Sequence, residues 1–222
     1  IAHDHGALVW VDGAQSTPHM SVDVQDLDID FLAFSIHKMC GPSGMGGLWG
    51  RYELLDDLRT IQSGGQTVKS STYDSIEWAN PPARFEGGLG NFSGMIATGA
   101  AIDYLSKIDM DAVHEHEIRL NTIMTNGIKD LPGIEIIGPL DANKRGGICS
   151  ILMDELPAHD IALLLDEAAG VMVRSGQHCV HSWFNSRGHI NGSLRASAYL
   201  YNTEEEARLF AEIFTEAVHA FS

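Results

Sequence analysis

Two chemically active side chains each follow an apolar run that predicts a buried strand. Asp12 comes directly after residues 8–11, and Lys38 comes shortly after residues 31–34. A carboxylate at the end of a buried strand needs a cationic partner, because burying an unpaired charge is costly. An unprotonated lysine amine attacks carbonyl carbons and can hold an aldehyde covalently. Taken singly, either residue could also lie in a solvated turn, but the two together at strand ends favour a shared ligand.

Pyridoxal phosphate (PLP) offers both groups that this pair requires, a pyridinium nitrogen for Asp12 and an aldehyde for Lys38. A carboxylate beside the ring nitrogen keeps that nitrogen protonated, and the protonated ring accepts electrons from a bound substrate. Residues 41–47 (Gly-Pro-Ser-Gly-Met-Gly-Gly) also suggest a nucleotide-binding loop. A P-loop, however, places its lysine after the glycines, whereas Lys38 precedes them. This order of residues therefore argues against a nucleoside triphosphate site.

A candidate nucleophile ends the stretch 173–179 (Val-Arg-Ser-Gly-Gln-His-Cys). Gly176 permits a mobile loop, and His178 can lower the pKa of a neighbouring thiol or move its proton. Cys179 stands among polar residues, which favours a reactive thiol over a buried apolar one, although both remain open. Cys149 lies in an apolar run and is predicted to be inert.

Three potential metal ligands, His178, Cys179 and His181, fall within four residues. A protein zinc site is usually tetrahedral, and such crowding leaves no distant ligand to complete the tetrahedron. We therefore expect no metal at this segment.

Strands and helices alternate in the first half of the chain, which predicts the α/β class. Residues 62–91 are rich in Gly, Ser, Thr and Pro, and a loop of this length is usually functional or part of an interface. The predicted elements are strands at 8–11, 31–34 and 47–49, a short helix at 52–58, and long helices at 92–108 and 111–131.

The second half predicts a small α+β domain. Apolar residues recur at helical spacing from Ile161 to Ala168, and Gly170 can end that helix. Thr203 and Glu206 form a capping box that opens a last helix with a continuous apolar stripe. Strands are predicted at 134–137, 148–153, 171–173 and 194–200. We assign residues 1–110 to part of a large domain, 111–131 to a linking helix, and 132–222 to the small carboxy-terminal domain.

The composition favours a globular protein that avoids polyanions. The chain has 222 residues, 44% of them hydrophobic, and its 14 basic and 30 acidic residues give a net charge of −16. Such a charge repels nucleic acid and anionic lipid. The three cysteines are far apart and predict reduced thiols. With no apolar run long enough to span a bilayer and no signal-like amino terminus, a cytoplasmic location is expected.

The strand-end motifs resemble the fold type I PLP enzymes, and the stretch through Lys38 resembles the aminotransferase class V branch. The resemblance implies a partial large α/β domain plus a small α+β domain. It also implies five cofactor-binding residues. These are Asp12 at the pyridinium nitrogen, Gln15 at the phenolic oxygen, Ser35 and His37 at the phosphate, and Lys38 as the covalent link.

The segment before Cys179 resembles the catalytic loop of the Suf-type, or group II, cysteine desulfurases, whose motif is Arg-x-Gly-His-His-Cys. Gln177 stands where that motif has its first histidine. The resemblance implies that Cys179 carries a persulfide. It also implies that Arg195, in the segment Leu-Arg-Ala-Ser, binds the substrate carboxylate, for which a bidentate guanidinium is well suited.

Two departures from that pattern stand out. Leu89 occupies a position where the family has a threonine that reaches the cofactor phosphate of the partner subunit. The family also carries roughly another half-domain upstream, so we expect the chain to lack an amino-terminal portion.

The resemblance implies a homodimer that converts L-cysteine to L-alanine and passes sulfur to an acceptor protein for iron–sulfur cluster assembly. Selenocysteine lyase and a noncatalytic relic of the fold are the alternatives.

Overall fold

The structure is a computed structural model that describes residues 1–153 and 156–221, and the chain divides into two units. The first unit is Ile1–Met110 and the second is Asp111–Ser222. Among the described residues, no helix combines the length and the apolar character that a membrane span needs.

The first unit contains a three-stranded sheet of β1 (Trp10–Asp12), β2 (Phe31–Ser35) and β3 (Gly46–Gly50). β2 lies in the middle, parallel to β1 and antiparallel to β3. All three strands were predicted. The expectation that β1 is buried is wrong, because among the described residues β1 pairs with β2 alone. Its Trp10 is 56% exposed, whereas Phe31 of β2 is only 3% exposed.

Short helices and turns precede and follow the strands of this unit, and one long helix ends it. The α-helices are α1 (Ser16–His19), α2 (Tyr52–Asp57) and α3 (Phe92–Ile108), and 3-10 turns occur at His3–His5, Ile36–Met39 and Ala83–Phe85. The side chain of Asn91 caps α3 by accepting a hydrogen bond from Gly94 N at 3.0 Å. The predicted bounds of α3 are confirmed.

The loop predicted at 62–91 contains a small hairpin. Strands β4 (Val68–Ser71) and β5 (Ile76–Trp78) pair antiparallel. Thr67, which precedes β4, is fully buried, and its hydroxyl donates to Gly64 O at 2.8 Å. This threonine therefore stabilises the entry into a segment whose composition alone suggested no regular structure.

The second unit combines helices with a four-stranded antiparallel sheet. Its elements are α4 (Met110–Ile128), β6 (Ile134–Ile136), β7 (Ile148–Met153), α5 (Ala158–Ala169), β8 (Arg174–Gly176), α6 (His181–Ser186), β9 (Ser193–Ser197) and α7 (Glu204–Phe221). The sheet order is β6-β7-β9-β8. The core lies where α4, α5 and α7 pack on this sheet, with Leu120, Ile161 and Phe214 fully buried.

The strand predicted at 171–173 is wrong, since β8 begins at Arg174. Gly170 adopts a left-handed conformation with φ of 66° and ends α5. The next backbone N–H, that of Val171, donates to Leu165 O at 3.2 Å and so completes the helix cap. Because the N–H of Val171 is hydrogen-bonded to the helix, it cannot pair with a neighbouring strand, and β8 begins further along the chain.

The capping box at the start of α7 is confirmed. Glu206 Oε2 accepts a hydrogen bond from Thr203 N at 2.7 Å, and Thr203 Oγ1 accepts one from Glu206 N at 3.2 Å. The predicted apolar stripe of α7 is also confirmed, and its buried members are Ala207, Phe210, Ala211, Phe214, Ala217 and Val218.

Candidate active site

Asp12 and the segment that carries Lys38 lie at one edge of the first sheet. β1 and β2 are parallel, with Asp12 opposite Ala33, so their carboxyl ends lie side by side. Gly13 N continues the pairing by donating to Ala33 O at 2.7 Å. Parallel strands deliver the residues that follow them to the same edge, where ligands of open α/β sheets bind.

The carboxylate of Asp12 is exposed, and one of its oxygens is engaged locally. Oδ1 accepts a hydrogen bond from Ala14 N at 3.0 Å, which fixes the side chain in a turn. Within the described part of the chain, no ion pair involves Asp12. The carboxylate is thus oriented by the backbone and available to a cationic group.

Gly13 lets the backbone after Asp12 lie directly against β2. A methyl group at this position would lie 2.5 Å from Leu32 Cδ1 and 3.2 Å from Ala33 O. Contacts that short require the neighbours to move, and the carbonyl belongs to the sheet itself. Glycine therefore preserves the approach of the two strand ends.

Lys38 lies on a 3-10 turn that is anchored at two points. Ile36 and Met39 are buried, while His37 is exposed and Lys38 is half-buried. The backbone N–H of Ile36 donates to Met45 O at 3.1 Å, so the glycine-rich loop folds back onto the turn. The amine is therefore presented from a fixed base.

Of the other residues that the resemblance implies for the cofactor, Ser35 ends β2 and is half-buried. Gln15 is exposed and directly precedes α1. Leu89, in place of the family threonine, is 86% exposed and has no hydroxyl that could bind phosphate.

A charged cluster that sequence reasoning missed fixes the start of this sheet. Asp30 is 4% exposed, and its Oδ2 accepts a hydrogen bond from Val9 N at 2.7 Å. The same oxygen lies 2.8 Å from His3 Nε2, and Oδ1 lies 3.1 Å from Arg51 Nε. The sequence did contain a sign of this cluster: Asp30 directly precedes the apolar run 31–34, and a buried carboxylate needs hydrogen-bond or cationic partners.

Hydrogen bonds in this cluster shift the pKa values of both main partners. The contact with His3, followed by that with Val9 N, lowers the pKa of Asp30. The same contact raises the pKa of His3 above 6.5. The cluster thereby joins the chain before β1 to the start of β2 and the end of β3.

Arg174 and Arg195 are directly opposite each other in the second unit, on the paired strands β8 and β9. Burial lowers the pKa of Arg195, the charge of Arg174 lowers it further, and the nearby Cys179 opposes both effects. Within the described residues, Arg195 Nε is buried without a hydrogen-bond partner. An anionic ligand would satisfy both the charge and this unpaired donor.

Cys179 is exposed on a tight turn directly after β8. Val180 N donates to Gln177 O at 2.8 Å, and the two central residues, His178 and Cys179, have φ of 48° and 66°. Positive φ at both central positions is typical of a type I′ turn. A left-handed conformation costs roughly 1–2 kcal/mol for a residue that is not glycine. The thiol therefore lies on a turn that needs support.

That support comes from the side chains beside the thiol. Gln177 Nε2 donates to Ile190 O at 2.8 Å and to Asn185 Oδ1 at 3.1 Å. His178 Nε2 lies 3.1 Å from Ser193 Oγ. These contacts join the turn to the segment that follows it.

The environment of His178 favours its neutral form. Burial lowers its pKa, and the positive charges of Arg195 and Arg174 lower it further, while the hydrogen bond that its ring donates to the backbone oxygen of Ser193 acts in the opposite direction. Cys149, in contrast, is fully buried in β7, and burial raises the pKa of its thiol. Of these two thiols, only Cys179 is accessible to a substrate.

The predicted site residues thus form two groups. Asp12, Ser35 and Lys38 lie at one sheet edge of the first unit, with Gln15 and His37 in the adjoining turns. Cys179 and Arg195 come from neighbouring positions in the second unit. In the second unit, sequence reasoning missed the position of Arg174 opposite Arg195 and the side-chain contacts of Gln177.

The chain belongs to the aminotransferase class-V family, whose model matches residues 1–210. It is 39% identical over 222 residues to a cysteine desulfurase of Haloferax volcanii, with 100% of this chain and 51% of that protein aligned. It is 41% identical over 216 residues to a probable cysteine desulfurase of Halalkalibacterium halodurans, covering 96% of this chain and 51% of the relative.

Solved structures agree with this assignment. The chain matches a cysteine desulfurase from Thermococcus onnurineus with a TM-score of 0.92 and 38% identity, covering 99% of this chain and 54% of that one. It also matches a cysteine desulfurase from Escherichia coli with a TM-score of 0.90 and 32% identity, covering 99% of this chain and 53% of that one. The mixed α/β fold is therefore that of the cysteine desulfurases. The chain spans about half the length of the curated relatives it matches.

Proposed function

We propose that the complete protein is a PLP-dependent cysteine desulfurase, which converts L-cysteine to L-alanine and transfers the sulfur to Cys179. The observation that carries this proposal is the exposed Cys179 thiol on an anchored turn near Arg195. Similarity to cysteine desulfurases over the full length of the chain supports it.

The residues of the first unit fit PLP. The carboxylate of Asp12 has an oxygen free to pair with a protonated ring nitrogen, and Lys38 presents an amine from the end of the neighbouring strand. Ser35 and His37 would bind the phosphate, and Gln15 the phenolic oxygen. When bound, PLP supplies an electron sink for charge that develops at the substrate α-carbon. Lys38 would move the α-proton once its amine is free.

The residues of the second unit would act on the substrate. The guanidinium of Arg195 binds the carboxylate of cysteine and so satisfies its buried Nε. The thiolate of Cys179 attacks the substrate sulfur, forming a sulfur–sulfur bond while the carbon–sulfur bond of the substrate breaks. The electron pair of the broken bond stays with the carbon, which takes up a proton and leaves as alanine. Because its lowered pKa keeps His178 neutral near pH 7, that imidazole can accept a proton rather than supply positive charge.

The test uses the complete protein with PLP and L-cysteine and measures alanine together with persulfide on residue 179. We expect Cys179→Ala to lose at least about 100-fold in alanine formation, because no thiolate receives the sulfur. Cys40→Ser is the matched control, since Cys40 is also exposed but lies in the first unit. Full turnover by Cys179→Ala would refute the role of this thiol.

Two further measurements separate the alternatives. A selenocysteine lyase would turn over L-selenocysteine and leave L-cysteine largely unreacted. A noncatalytic relic would bind no PLP, and after incubation with PLP and removal of the unbound cofactor it would show no visible absorbance.

We also propose that the protein is a homodimer, that it passes its persulfide to an acceptor protein, and that it is cytoplasmic. Large apolar side chains on α3 support the dimer, since Phe92 is 59% exposed and Ile96 is 77% exposed. Three unpaired cysteines fit a reducing compartment. Light scattering on the complete protein tests the dimer, since a monomeric mass would exclude it.

A further inference from the structure

We propose that Gln177 is a positioning residue, whose side-chain amide holds the left-handed turn that presents the Cys179 thiol. This inference rests on the proposed function, because it concerns the rate at which that thiol takes up sulfur. Gln177 itself touches neither substrate nor cofactor in this role. It acts through the backbone of the turn.

The turn needs an external anchor because of its two central residues. Type I′ turns are dominated by glycine, asparagine and aspartate, which tolerate positive φ. Here the central residues are His178 and Cys179, both of which bear side chains that disfavour this region. Without tertiary contacts the four residues would populate other conformations, and the thiol would leave its present position.

Gln177 supplies two such contacts from the first position of the turn. One amide nitrogen donates to the backbone oxygen of Ile190 at 2.8 Å and to Asn185 Oδ1 at 3.1 Å. These acceptors lie in α6 and in the loop that returns to β9. The amide therefore ties the start of the turn to chain that comes after it.

The returning chain is close enough to act as a rigid support. Gly192 lies directly against the peptide that joins Gly176 to Gln177, and a methyl group on Gly192 would lie 2.7 Å from Gln177 N and would overlap Gly176. His178 adds a second contact, with Nε2 at 3.1 Å from Ser193 Oγ. The turn is thus held at two consecutive residues, and Cys179 follows directly.

An amide suits this position better than other side chains of similar size. A primary amide has two N–H donors and does not titrate, so it can serve both oxygens at any physiological pH. A carboxylate would place a third acceptor beside these two. Leucine would fill the volume without donating. A neutral imidazole has a single N–H, so histidine could serve one of the two acceptors.

The test compares variants of the full-length protein carrying PLP. Gln177→Leu keeps the side-chain volume and removes the donors, and Gln177→His restores one donor. Gln25→Leu is the matched control, because Gln25 is exposed in the first unit. Two quantities are measured, which are hydrogen exchange at the Val180 amide and the first-order rate of persulfide formation on residue 179 at saturating L-cysteine.

We expect Gln177→Leu to accelerate Val180 exchange about tenfold and to slow persulfide formation about tenfold. Tenfold corresponds to about 1.4 kcal/mol, which is near the net value of one hydrogen bond. The KM for cysteine should stay within about twofold, since Arg195 is untouched. Gln177→His should recover part of both rates, and Gln25→Leu should change neither.

The outcomes separate this inference from the proposed function. Unchanged Val180 exchange in Gln177→Leu would overturn the positioning role even if the enzyme produces alanine normally. Faster exchange throughout the second unit would also overturn it, because the residue would then contribute only general stability. Local acceleration in a protein that forms no alanine from cysteine would refute the desulfurase assignment while leaving the anchor of the turn intact.

Discussion

Gly192→Ala should destabilise the protein more than Gly188→Ala, although both glycines have nearly the same backbone conformation. Their φ values are 76° and 78°. A methyl group at Gly188 meets nothing within 4 Å, whereas at Gly192 it overlaps the backbone of Gly176 and lies 2.7 Å from Gln177 N. The pair therefore separates the cost of the left-handed conformation from the cost of overlap.

The two costs can be estimated separately. Alanine in the left-handed region costs roughly 1–2 kcal/mol, and the lower entropy of the unfolded chain offsets about 0.4–1 kcal/mol. We therefore expect Gly188→Ala to reduce the free energy of unfolding by about 1 kcal/mol. Overpacking adds about 1–3 kcal/mol, so Gly192→Ala should lose about 2–4 kcal/mol in total.

Urea unfolding of the complete protein, followed by tryptophan fluorescence, measures both losses, with Trp183 as a reporter in the same segment. Because Gly192 supports the turn that carries Cys179, its variant should also slow persulfide formation more than the Gly188 variant does. Equal unfolding free energies for the two variants would refute the argument from close packing.

Three further predictions concern ionisable groups. Glu206→Ala should lower the unfolding temperature by removing the cap of the last helix. Hydrogen bonds lower the pKa of Glu206, so the difference in unfolding temperature between variant and parent should vanish as the pH falls through that pKa. NMR titration should find the pKa of His178 below 6.5, and Arg174→Ala should raise it. The pKa of His3 should lie above 6.5. Its contribution to the free energy of unfolding is therefore complete at lower pH and is lost as the pH rises through that pKa. Asp30→Asn should return the pKa of His3 towards 6.5.

Local signals made much of the fold predictable. The capping box of Thr203 and Glu206 gave the start of α7, because helix ends are determined by nearby hydrogen bonds, and the bounds of α3 were also predicted. The strand ends that carry Asp12 and Lys38 were found for a similar reason, since polar residues interrupt the apolar runs there. Their placement at one sheet edge followed from the parallel pairing of β1 and β2.

Features that depend on tertiary contacts were not predictable. The exposure of Trp10 depends on which strands flank β1, and the pairing of Arg174 with Arg195 depends on the register of β8. The two hydrogen bonds of Gln177 join residues eight and thirteen positions apart. The sequence showed that Gln177 replaces the first histidine of the family motif, but it did not show that Asn185 and Ile190 accept hydrogen bonds from the amide of this residue.

β1 has a practical consequence for handling this polypeptide. It is a three-residue strand that pairs only with β2 among the described residues. Its first residue, Trp10, is 56% exposed, and Leu8 just before it is 59% exposed. An open strand edge flanked by apolar side chains can recruit a strand from another molecule. Residues 1–222 purified alone should therefore aggregate as their concentration rises, and a longer polypeptide that covers β1 should remain dispersed.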